Sequence, residues 1–150
     1  MALNPEFIGR TYPVSEPYLV GREKIREFAH SLGESSPLFF DVTEAQAAGY
    51  ADVIAPPTFA IVISMVAGEK VVFDPELGLD YSRVVHGDQR FVHHRPIVAG
   101  DSLSSVVTVD DIRSVAGNDM ITVKTEITDS TGALVSTVYS MILSRGADSA

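Results

Sequence analysis

A chain of 150 residues with 11 Lys and Arg against 20 Asp and Glu carries a formal charge of -9, and no basic run or stripe interrupts it. Nucleic acid and anionic membrane surfaces bind through clustered cations, so neither is expected as a partner. The absence of cysteine excludes disulfides and thiolate metal sites, and with no charged-then-apolar leader at Met1-Ala2-Leu3 the expectation is a cytoplasmic protein.

One domain is expected over residues 1–145, because neither a repeat nor a linker-like shift in composition divides the chain. A chain of this length buries about two thirds of the surface it exposes when unfolded. The small residues from Gly146 to Ala150 read as a tail that frays.

The first predicted element is a helix over Arg22 to Leu32. Ile25, Phe28, Ala29 and Leu32 recur there at helical spacing, and Gly33 stands where a left-handed cap would end it. A short second helix is expected at Glu44 to Ala48, with Thr43 as its N-cap and Gly49 after it. The third, from Pro57 to about Val71, differs in kind. Phe59, Ile61, Val62, Ile63, Met65 and Val66 leave no polar face, which predicts a helix enclosed nearly all round. The apolar run from Pro56 to Ala67 is broken by Thr58 and Ser64 and is shorter than the ~18 residues of a spanning segment, so it belongs to a core.

Strands are predicted next, beginning with Arg83 to His94, which Pro96 ends. Gly100-Asp101 turns into Leu103 to Ile112, and Gly117-Asn118 turns again. Ile121, Val123, Thr125 and Ile127 then alternate with Thr122, Lys124, Glu126 and Thr128, so the Ile121 face points inward. Asp129-Ser130-Thr131-Gly132 leads to a last strand over Leu134 to Leu143. An antiparallel meander together with one wholly apolar helix predicts an α+β fold in which the sheet wraps around that helix, the hot-dog architecture.

Three landmarks give the chain a family resemblance: Gly33-Glu34-Ser35-Ser36-Pro37, then Ala55-Pro56-Pro57-Thr58-Phe59, then Val85-His86-Gly87-Asp88-Gln89-Arg90-Phe91 running into His94-Arg95-Pro96-Ile97 and Gly100-Asp101. Over roughly Glu6 to Leu143 it resembles the MaoC-like dehydratases, of the N-terminal-half type. Within them it is similar to the substrate-binding subunit of two-chain mycobacterial (3R)-hydroxyacyl carrier-protein dehydratases. The resemblance implies a homodimer or heterodimer of hot-dog folds that binds acyl-CoA or acyl-ACP, with the acyl chain beside the central helix and no cofactor. In catalytic members of the family the signature Gly-Asp-x-Asn-Pro-aliphatic-His supplies an Asp and a His that activate water. Here Glu34, Ser36 and Phe39 occupy the Asp, Asn and His positions. A phenyl ring carries no proton, and one placed acid-base group is worth roughly 10²- to 10⁴-fold in rate.

Each candidate residue has a plainer alternative. Glu34 reads as a base acting alone or as a solvated acid after a helix cap, and Phe39 as an acyl-tunnel wall or as core. His86 and Asp88, two apart on a strand, are expected on one face but ~7 Å from each other, too far for a direct hydrogen bond. They are either a displaced catalytic pair or structural. His93 and His94 are expected on opposite faces, so they do not jointly chelate, and no metal site is expected. Arg95 reads as a phosphate ligand or as a strand-end anchor. Pro57, Thr58 and Phe59 place helix-terminal amides near a thioester, or simply start the helix.

The function implied is that of an acyl-thioester-binding subunit, non-catalytic or weakly catalytic, of an (R)-3-hydroxyacyl-CoA or -ACP dehydratase. A partner chain would carry the missing acid-base pair. Two alternatives stay open: a self-sufficient hydratase using Glu34 with His86, and an acyl-thioester-binding adaptor without catalysis.

Overall fold

A computed structural model describes residues 3–146 of the chain. Among them lie three α-helices, α1 (Arg22–Ser31), α2 (Val42–Ala47) and α3 (Ile61–Val72). They are joined by five strands: β1 (Tyr18–Leu19), β2 (Val84–His93), β3 (Ser102–Val115), β4 (Asn118–Thr128) and β5 (Leu134–Ser144). The strands form one antiparallel sheet in the order β1-β3-β4-β5-β2. The predicted meander is therefore present, and β2 returns to its far side to pair with β5. Of the tail expected to fray, residues 147–150 lie outside the described residues. Gly146 lies inside them and accepts a hydrogen bond from Arg83.

The period-two pattern settles the faces of the sheet. Leu103, Val107 and Val109 on β3 and Ile121, Val123, Thr125 and Ile127 on β4 are buried toward the helix, as the alternation requires. The first half of α3, through Ile63, packs with Phe59, Ile127, Val135 and Val138 in one apolar cluster, and its second half, through Ala67 and Val71, with Leu77, Val107, Val109 and Ile121 in another. No helix among the described residues is long and apolar enough to cross a membrane.

Three helix expectations change in detail. Gly33 does cap α1 at φ 72°, with its amide on His30 O and that of Glu34 on Ala29 O, but Leu32 is 49% exposed and drops out of the buried stripe. The N-cap of α2 is Asp41, not Thr43. Its carboxylate accepts from the amides of Thr43 (2.8 Å) and Glu44 (3.3 Å), so it serves two orphan donors from a position two residues earlier. α3 begins at Ile61 rather than Pro57, and residues 57–60 form turns ahead of it. Instead, i→i+3 bonds run from Phe59 to Pro56, Ile61 to Thr58, and Val62 to Phe59.

Nor is α3 enclosed all round. It lies over β3 and β4, and Met65 and Val66, each 66% exposed, remain on its free flank. An apolar helix covers what the sheet offers it, and here the sheet offers one side.

The first hairpin turns one residue earlier than expected. Val115 pairs directly with Asn118, so Ala116 and Gly117 alone form the loop, at φ 51° and 79°. Two positive values define a type I′ turn. Alanine pays a steric penalty of about 1 kcal/mol in the left-handed region, whereas asparagine visits it readily. Ala116→Asn is therefore expected to raise stability by roughly 0.5–1 kcal/mol, read as a higher urea midpoint at unchanged slope. A lowered midpoint would contradict this turn.

Candidate functional site

Phe39 reaches its place through local chemistry. Pro37 opens a single 3-10 turn, Pro37–Phe39, and the amides of Phe40 (3.0 Å) and Asp41 (2.8 Å) both donate to the Pro37 carbonyl. This brings the Phe39 side chain inward, to 9% exposure. The Leu38 carbonyl accepts from the Ile54 amide at 3.0 Å, which ties the turn to the segment entering α3. That segment is stitched in turn to the one leaving β2: the Ala55 amide donates to Ile97 O at 2.8 Å and the Ala99 amide to Val53 O at 3.0 Å. Between the two lies a cleft of about 410 Å³, with Ile54–Pro57 on one side, His93–Ile97 on the other and Phe39 in its wall.

Three residues singled out in the sequence meet here, Phe39, Pro57 and Arg95, from three separate segments of the chain. The others do not. Phe59 is fully buried behind the cleft, edge-on to Phe28 at 5.4 Å between ring centres. Thr58 is exposed, and its side chain is not part of the lining. Glu34 is exposed beside the α1 cap and does not line the cleft.

His86 and Asp88 are parted by a β-bulge. They pair with Ile142 and Met141, consecutive residues of β5, so Gly87 is an extra residue and the two side chains face opposite sides of the sheet. The shared face expected from their spacing is lost. His86 Nε2 meets Gln89 Oε1 at 3.1 Å instead, and Gln89 also accepts from the Ser140 hydroxyl.

Arg95 spends its donors on the protein. Nη1 and Nη2 hold the two oxygens of Asp101 at 2.8 and 3.0 Å, Nη2 reaches Asp129 at 3.3 Å, and Nη1 donates to its own neighbour's carbonyl, Pro96 O, at 3.0 Å. The fork clamps the turn before β3 to the turn before β5. A phosphate would meet a cation already matched by two carboxylates, so the geometry favours the anchor. Hydrogen bonds from the Thr131 hydroxyl and amide, together with Arg95, hold the Asp129 carboxyl down to about 2.

The sign of the resulting pH dependence follows. In the unfolded chain an Asp takes its proton near ~3.9, above the folded value, so the contribution of these bonds is complete above about pH 4 and disappears as pH falls toward 2. Asp129→Asn should flatten that part of the acid profile. Urea melts at pH 5, 3 and 2 test this, and equal acid slopes for wild type and variant would refute it.

Sequence reasoning missed His93 and His94, which both line the cleft. Strand alternation put them on opposite faces, but β2 ends at His93 and the chain bends at His94. Pro96 two residues on was the available signal, since it limits how far the strand can run. Among the described residues no group of three or more His, Asp or Glu side chains is arranged to hold a metal ion. A larger cavity of about 650 Å³ opens at the other end of the β2–β5 pair, between Asp80, Arg83, Asp119 and Arg145. Its carboxylates are engaged locally, Asp80 by Ser82 and Asp119 by Ser114 and the Leu3 amide.

A curled antiparallel sheet packed on one apolar helix, with a cleft at the helix entrance, defines the hot-dog class of folds. Residues 6–138 match the family described as FAS1-like, dehydratase domain region, and the chain belongs to that family, within the MaoC-like hot-dog dehydratases. It is 59% identical to a UPF0336 protein of Saccharopolyspora erythraea over 97% of this chain and 94% of that one. Among solved structures it resembles a MaoC-like dehydratase with a TM-score of 0.87 and 37% identity over 95% of this chain. It spans only 43% of that longer chain. It also resembles the C-terminally truncated HadBC (3R-hydroxyacyl-ACP dehydratase) complex of Mycobacterium tuberculosis, with a TM-score of 0.78 and 31% identity over 91% of this chain and 96% of that one.

Proposed function

We propose that this chain is the acyl-thioester-binding subunit of an (R)-3-hydroxyacyl-CoA or -ACP dehydratase, with little catalytic power of its own. The observation that carries the reading is Phe39. It stands in the cleft wall at the motif position where catalytic relatives carry an imidazole, while Glu34, at the carboxylate position, is exposed and outside the lining. Phe39, Ile54, Pro57 and Ile97 give the cleft an apolar surface suited to an acyl chain, and its volume falls within the ordinary range for ligand sites.

The entrance to α3 supports the same reading. Its i→i+3 bonds engage the amides of Phe59, Ile61 and Val62, but those of Thr58 and Ala60 have no partner among the described residues. Ala60 is fully buried, so the Thr58 N–H, on an exposed residue next to Pro57, is the donor that would meet a thioester oxygen. A partner would complete the enzyme. β2 is an edge strand of ten residues with its outer side open, an invitation to another strand, and the HadBC relative is itself a complex.

Hydration of crotonyl-CoA by the purified chain tests the proposal, and turnover near the uncatalysed background is expected. Brisk turnover that falls on replacing Glu34 or His86 would instead establish the self-sufficient hydratase. Binding without turnover, even beside a chain bearing the intact signature, would establish the adaptor.

A further inference from the structure

His93 ends β2 and lines the cleft, and one of its ring nitrogens is already committed. Nδ1 lies 3.2 Å from Oγ of Ser136, its antiparallel partner on β5. Ser136 is fully buried, and its hydroxyl has one other partner, the Val92 carbonyl oxygen at 3.4 Å. The one hydroxyl proton has two acceptors in reach, that carbonyl and Nδ1; when it goes to the carbonyl, Oγ accepts from Nδ1–H of the imidazole.

Phe91 steadies the same ring, nearly parallel to it at 9° with 5.8 Å between centres. A neutral imidazole holds one proton. With that proton on Nδ1, Nε2 presents a lone pair, and Nε2 has no hydrogen-bond partner among the described residues.

We propose that His93 Nε2 is a hydrogen-bond acceptor in the cleft that selects thioesters bearing a hydroxyl on the acyl chain over those without one, with Ser136 as its positioning residue. This rests on the acyl-thioester reading above and adds a specificity element to it. A hydroxyl has a proton to give to Nε2, whereas a double bond or a saturated chain has none. No other side chain in the lining is so prepared. Phe39, Ile54, Pro57 and Ile97 have no acceptor side chain, Arg95 only donates, and nothing fixes the proton of His94.

Two measurements on the full chain test the proposal. Nitrogen-15 spectra of histidine-labelled protein should show the Nδ1–H tautomer at His93, with population moving to Nε2–H in Ser136→Ala. Calorimetric titration should show (R)-3-hydroxybutyryl-CoA binding roughly three- to tenfold more tightly than butyryl-CoA, the worth of one net hydrogen bond. That preference, taken as the ratio of the two affinities, should vanish in His93→Phe, which keeps a ring against Phe91, and shrink in Ser136→Ala. An Nε2–H tautomer in the wild type, or a preference that survives His93→Phe, would overturn this inference and leave the acyl-thioester reading standing. Failure of the wild type to bind either thioester would overturn both.

Discussion

Replacing Phe59 with alanine is expected to lower the stability of the fold by about 3–5 kcal/mol, the usual cost of emptying a buried phenylalanine site. The side chain is fully buried between Phe28 and the cluster formed by Ile63, Ile127, Val135 and Val138, and it sits at the joint between the cleft-forming segment and α3. The side chains of that cluster are apolar, so the loss combines transfer and cavity terms. Equilibrium urea unfolding without ligand measures it directly. A change below about 1 kcal/mol, accompanied by weakened thioester binding, would mean that Phe59 faces ligand rather than core.

The second large effect is catalytic. Mixed with a homologous chain that carries the intact Gly-Asp-x-Asn-Pro-aliphatic-His signature, this chain is expected to support crotonyl-CoA hydration roughly 10²- to 10⁴-fold faster than it does alone. That range is what one positioned proton-transfer group contributes, and Phe39 cannot contribute it. Steady-state rates across a titration of one chain against the other, with size-exclusion chromatography of the mixture, provide the check. A linear sum of the two separate activities at every ratio would rule out a shared enzyme.

Much of this architecture was legible because its signals are local and periodic. Ile121 to Ile127 alternate strictly and are buried strictly, and Gly33 ends α1 because only a left-handed residue lets the last amides turn back onto Ala29 and His30. Apolar content was a poorer guide. It shows what Met65 and Val66 would do if covered, but cover depends on where α3 lies across the sheet, and it lies over β3 and β4.

The site divides in the same way. Phe39, Pro57 and Arg95 belong to separate stretches of sequence, and the fold brings them to one cleft. The geometry of His86 with Asp88, and of His93 with His94, was misread for one reason: alternation holds only within an uninterrupted strand. A bulge at Gly87 breaks it for the first pair, and the end of β2 breaks it for the second.

The two walls of the cleft are joined by main-chain bonds, Ala55 to Ile97 and Ala99 to Val53. Such ties are indifferent to side-chain identity. Substitutions along Ile54–Pro57 or His93–Ile97 can therefore reshape the bore and polarity of the passage while its frame holds. A scaffold of this kind lends itself to drift in ligand preference among descendants without a return to folding from scratch.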